Sequence, residues 1–142
     1  MEQRLVAHNQ NLWKTMIVDD EPFIREVLKD LLTHLGVQPI AAASGTQALE
    51  MFSALGGDVD LVILDLIMPE KNGLETFHAL KKIKDDVKVI VISGNIDKAG
   101  MAGFTKSNVK GVLQKPFDVE RITRLIMKAL SAPRAADLSL PY

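Results

Sequence analysis

Four short apolar runs rich in Val and Ile, namely Thr15 to Val18, Leu61 to Leu64, Val87 to Ile92 and Gly111 to Leu113, most constrain what this chain can fold into. Each is bounded by polar or turn residues and reads as a strand buried on both faces, the state of a parallel sheet covered by helices. A weaker fifth run, Val37 to Ala43, follows Gly36 and contains Pro39. A proline cannot donate to a strand ladder, so this run is placed at an edge of the sheet.

Between the strands the apolar period changes to that of a helix. Phe23, Ile24, Val27, Leu28, Leu31, Leu32 and Leu35 form an amphipathic stripe that Gly36 stops. Ser44 stands where an N-cap belongs for a helix carrying Ala48, Leu49 and Phe52, and Asn72 does the same for one carrying Leu74, Phe77 and Leu80. Asp118 can cap the last helix, with Val119, Ile122, Leu125, Ile126 and Leu130 on its inner face. The segment from Ile96 to Lys106 contains Gly100 and Gly103. Each costs about 1 kcal/mol against Ala inside a helix, so this helix is expected to be short or mobile.

Five strands alternating with five helices give a doubly wound α/β domain, because right-handed crossovers place helices on both faces of a parallel sheet. With the Pro-bearing second strand at an edge, the order is 2-1-3-4-5, the flavodoxin-like arrangement. The first and third strands then flank the point where winding reverses, and ligands bind there at the carboxyl ends of the strands. The chain has 142 residues, which fits one such domain over residues 14–131. Residues 1–13 then form an N-terminal extension and 132–142 a C-terminal tail too short for an output domain.

Charge and composition remove several functions. A formal net charge of -1 with 25% charged residues is not the profile of a polybasic binder, so nucleic acid is not expected as a direct partner. With no cysteine, thiolate metal sites and thiol nucleophiles are excluded. Leu5-Val6-Ala7 is too short an apolar run for a signal-peptide core or a membrane span, and the expected location is cytoplasmic.

The residues at the strand ends carry the chemistry. Asp19 and Asp20 end the first strand, Asp65 the third, Ser93 the fourth and Lys115 the fifth, and all five are expected to converge. Three close carboxylates repel one another unless a cation compensates, and hard oxygen ligands with room for water and a phosphate oxygen suit Mg²⁺. With Mg²⁺ and the Lys115 ammonium screening incoming negative charge, the Asp65 carboxylate can attack phosphorus in line to form an acyl phosphate. Ser93 can donate a hydrogen bond to a phosphoryl oxygen, and Gly94 beside it leaves the loop free to move.

The Asp19-Asp20 pair, the run Asp65-Leu66-Ile67-Met68-Pro69-Glu70-Lys71-Asn72-Gly73, Ser93, and Lys115-Pro116-Phe117 together resemble the receiver domains of two-component response regulators, over roughly residues 14–131. The ordered set is far more specific than any of its members. The resemblance implies that Asp65 is the phosphoacceptor, and that Asp19 and Asp20 hold Mg²⁺ directly or through water. It also implies that the Ile67 backbone carbonyl completes the metal shell, that Ser93 and Lys115 bind the phosphoryl group, and that the Lys115–Pro116 bond is cis. The implied donor is a sensor histidine kinase or a histidine phosphotransfer protein, and the implied output is contact with another protein. The chain would act as a monomer or as a phosphorylation-dependent dimer. It departs from the family at Val112, where most receivers carry Tyr or Phe three residues before the Lys. Ile67 and Asn95, two beyond Asp65 and Ser93, occupy positions that influence access of water to the acyl phosphate.

His8, His34 and His78 match no metal or triad spacing, and Lys81-Lys82 with Lys84 reads as a solvated helix face. Phosphatases of the haloacid dehalogenase-like superfamily also use an Asp nucleophile and Mg²⁺, but they need an acid/base Asp where this chain has Ile67. A flavin site of the flavodoxin type needs a hydroxyl- and Gly-rich loop after the first strand, and Asp19-Asp20-Glu21-Pro22 would repel its phosphate. Two further readings stand beside the signalling one: a receiver-like binding module independent of phosphorylation, and a receiver fragment of a larger regulator or hybrid kinase.

Overall fold

A computed structural model describes residues 13–131. Ten elements alternate along them: β1 Lys14–Val18, α1 Pro22–His34, β2 Gln38–Ala42, α2 Gly45–Ala54, β3 Leu61–Asp65, α3 Gly73–Ile83, β4 Val89–Ser93, α4 Lys98–Met101, β5 Val109–Gln114 and α5 Val119–Ser131. The strands form one parallel sheet in the order β2-β1-β3-β4-β5, as the strand pattern predicts. Most of the extension and all of the tail inferred from the sequence lie outside the described residues. Trp13 is the exception: it is buried, and its carbonyl accepts a 2.8 Å hydrogen bond from the Gln38 N–H. Among the described residues no helix is long and apolar enough to cross a membrane.

Alternation along each central strand divides the core in two. Met16, Val18, Val62, Leu64, Val89 and Val91 face Phe52 of α2 and Phe77 and Leu80 of α3. Ile17, Leu61, Ile63, Ile90 and Ile92 face Leu28 and Leu32 of α1 and Ile122, Ile126 and Leu130 of α5. β3 and β4 are buried along their whole length, which explains their unbroken apolar runs. Full burial of a side chain such as Phe52 or Ile63 stabilises the fold by roughly 1.5–3 kcal/mol.

Local signals account for the helix ends. The Ser44 hydroxyl accepts from the Gln47 N–H, and Asn72 with Glu75 forms a reciprocal capping box at the start of α3. α4 has four residues, with Gly100 inside it and Gly103 just beyond its end, in agreement with the cost of glycine in a helix. Phe23 departs from the predicted stripe: it lies in the first turn of α1 and is 75% exposed. The helical period alone cannot register where along the helix its packing against the sheet ends.

Pro39 occupies the edge strand β2, opposite Thr15 of β1. The Gln38 N–H points inward to Trp13, so the nitrogen of Pro39 faces the free edge, where no ladder bond is lost.

Candidate functional site

The carboxyl ends of β1, β3, β4 and β5 meet at the winding reversal, and the fold delivers Asp19, Asp65, Ser93 and Lys115 there. Asp65 is the last residue of β3 and is 4% exposed, and Ser93 ends β4 fully buried. Lys115 follows β5, its N–H held 2.8 Å from the Ser93 carbonyl, so β4 fixes where the lysine starts. The Lys115–Pro116 peptide bond is cis, as expected.

Two features set the direction of Asp65. The N–H of Ile67 donates to Asp65 Oδ1 at 3.2 Å. Behind it, the Gly73 N–H donates to the Leu66 carbonyl at 2.8 Å, drawing the start of α3 against the end of β3. Between them Glu70 takes a left-handed backbone with φ 68°, uncommon for a residue with a side chain.

One ammonium serves three carboxylates. Lys115 Nζ lies 2.8 Å from Asp19 Oδ2, 2.7 Å from Glu21 Oε1 and 3.0 Å from Asp65 Oδ2. Asp19 is fully buried, and burial pushes its carboxyl above the usual range even though the ammonium and the Glu21 N–H, 2.9 Å from Oδ1, pull the other way. Burial alone would lower Lys115, but its contacts with Asp19, Glu21 and Asp65 more than reverse this and hold it above its ordinary value. Asp19 Oδ2 is buried, with the Lys115 ammonium at 2.8 Å as its ionic neighbour.

Carboxylate oxygens of Asp19, Glu21 and Asp65 all lie within 4.8 Å of one another, a hard-oxygen set that suits a divalent cation. Asp20 is exposed and is not one of these three, although it lines the same opening of about 300 Å³ together with Ser93, Gly94, Asn95 and Ile67. The backbone of Ile67 reaches Asp65 through its N–H, while its side chain stands 59% exposed at the rim. Sequence reasoning missed Glu21. The available signal was a carboxylate immediately before Pro22 at the start of a helix, and it reads first as a helix cap.

These features define a doubly wound α/β domain with an acidic pocket and a lysine at its carboxyl-end crevice, the place where such a sheet binds its ligand. The chain belongs to the response regulator receiver domain family, which matches residues 15–127. The family consists of signalling phosphoacceptors that work with histidine kinases, not of classical enzymes. Among its relatives, the chemotaxis protein CheY of Thermotoga maritima is 33% identical over 116 residues, covering 81% of this chain and 95% of CheY. The probable C4-dicarboxylate response regulator DctR of Bacillus subtilis is 33% identical over 82% of this chain, which spans only about half, 51%, of DctR. The solved structure of the response regulator TrrA from Thermotoga maritima, in complex with Mg(2+)-BeF, superposes with a TM-score of 0.71 at 30% identity, covering 83% of this chain and 99% of that one.

Proposed function

We propose that Asp65 accepts a phosphoryl group from the phosphohistidine of a sensor histidine kinase or histidine phosphotransfer protein, and that the modified chain switches a protein-interaction face. One observation carries this reading: Asp65 is a nearly buried carboxylate whose Oδ2 contacts a lysine at 3.0 Å, at the floor of an opening lined by Ser93 and further acidic groups. In the transfer, an Asp65 oxygen forms a bond to phosphorus as the bond from phosphorus to the donor nitrogen breaks. The freed imidazole keeps the electron pair and takes up a proton. Lys115 would pair with a phosphoryl oxygen, and Ser93 would donate a hydrogen bond to another.

The donor set fits Mg²⁺. Asp19 and Asp65 would hold it, with Asp20 at the rim and the Ile67 carbonyl as further ligands; bound there, the ion would offset the charge of the incoming phosphoryl group. The Mg(2+)-BeF complex of TrrA supports this assignment. The added charge of about -1.5 to -2 would draw Ser93 and Lys115 toward it, and β4, the short α4 and β5 are the elements that would respond.

Intact mass after incubation with acetyl phosphate, with and without Mg²⁺ and beside Asp65→Asn, tests the reading. A phosphoryl adduct that requires both Mg²⁺ and Asp65 supports it. No adduct where Mg²⁺ binding is confirmed would favour a module that works without phosphorylation.

A further inference from the structure

We infer that Glu21 is a latch on Lys115: a positioning residue that holds the ammonium in the unmodified state and must release it before the lysine can engage a phosphoryl oxygen. This inference rests on the acceptor role proposed for Asp65.

Glu21 is the N-cap residue of α1, where its carboxylate could accept from the helix's free N–H groups. It makes no such cap. Its side chain instead reaches a residue 94 positions away, Lys115, at 2.7 Å, the shortest of the lysine's three carboxylate contacts. The backbone is set for this, because Pro22 at the first helical position favours an extended Glu21, found at φ -85° and ψ 114°.

The three partners of Lys115 differ in what they demand of it. Asp19 and Asp65 are buried to 1% and 5% of side-chain exposure, whereas Glu21 is 55% exposed. Releasing Glu21 returns its carboxylate to water at little cost; releasing Asp19 would strand a buried charge. A phosphoryl group on Asp65 leaves the lysine beside the same residue, so the contact to give up is the one with Glu21. That pair is worth only a few-fold in equilibrium, enough to bias the unmodified state without blocking the change.

The test uses the whole chain and beryllofluoride as the phosphoryl probe, with Mg²⁺ affinity measured separately in its absence. With Mg²⁺ saturating for each variant, Glu21→Gln is expected to bind beryllofluoride roughly two- to fivefold more tightly, the range an exposed ion pair is worth. The gain should vanish in a Lys115→Gln background, where there is no ammonium to release. A gain that persists there would be a general charge effect and would overturn the latch. An unchanged or weaker beryllofluoride affinity with Mg²⁺ saturating would overturn it outright. If the wild-type chain takes up neither beryllofluoride nor a phosphoryl adduct, the acceptor role fails and the latch with it. Failure of the latch alone leaves wild-type uptake intact.

Discussion

Gly73 packs its Cα against the carbonyl of Asp65 so closely that a Cβ there would sit 2.4 Å from that oxygen and 2.7 Å from the Leu66 Cα. Both obstacles are backbone, so neither can swing aside. The start of α3 therefore braces Asp65, the proposed acceptor, and the brace requires glycine.

Gly73→Ala should push α3 away from β3 and destabilise the fold by about 1–3 kcal/mol, read by urea denaturation. Gly94→Ala is the control: a Cβ at Gly94 meets nothing within 4 Å, so its stability should change by less than about 0.5 kcal/mol.

Lys115→Gln leaves Asp19 buried without its ammonium, with an expected loss of about 3 kcal/mol near pH 8 in chelator. The sign with pH follows from Asp19, whose folded carboxyl already lies above its usual value through burial. Removing the ammonium, which pulls that value down, raises it further in the variant, so between the wild-type folded value and the variant's higher one only the folded variant holds the extra proton. The deficit of the variant should therefore shrink as pH falls through that window, which lies above the wild-type folded value. A deficit independent of pH would contradict this assignment.

Glu70 adopts φ 68°, a region that costs a residue with a side chain roughly 1–2 kcal/mol. Glu70→Gly removes that cost but adds backbone entropy to the unfolded chain. A net stabilisation of about 0.5 kcal/mol is expected in thermal or urea unfolding.

Ile67, exposed at the rim of the opening, places an apolar side chain where water would approach a phosphorylated Asp65. Ile67→Asn supplies a group that can orient that water. It should shorten the phosphorylated lifetime roughly fivefold, the effect of about 1 kcal/mol from one hydrogen bond, measured by decay of the intact-mass adduct.

Most of this fold could be read from the residues. Full burial of β3 and β4 left unbroken Val and Ile runs, Ser44 and Asn72 marked helix starts, Pro39 marked an edge, and the order of strands followed. Asp19, Asp65, Ser93 and Lys115 were likewise legible, because the carboxyl end of a parallel strand is a fixed address. Phe23 and Glu21 were not. Whether a helix's first turn packs against the sheet depends on the length of the loop before it and on crossover geometry, neither of which is encoded in apolar period. The turn of Glu21 toward Lys115 depends on a partner 94 residues away, beyond the reach of any local pattern.

The outward nitrogen of Pro39 bears on how copies of this molecule can meet. A free strand edge is a template onto which another chain can zip by backbone pairing, the first step of fibre growth and domain exchange. On the β2 side that template lacks a donor at the second residue of the strand, so that of the outward-facing Pro39 and Ala41 only Ala41 offers an N–H. Sheet extension on that side is thus disfavoured, which protects the molecule from a kind of pairing that could not be undone without rewriting the fold.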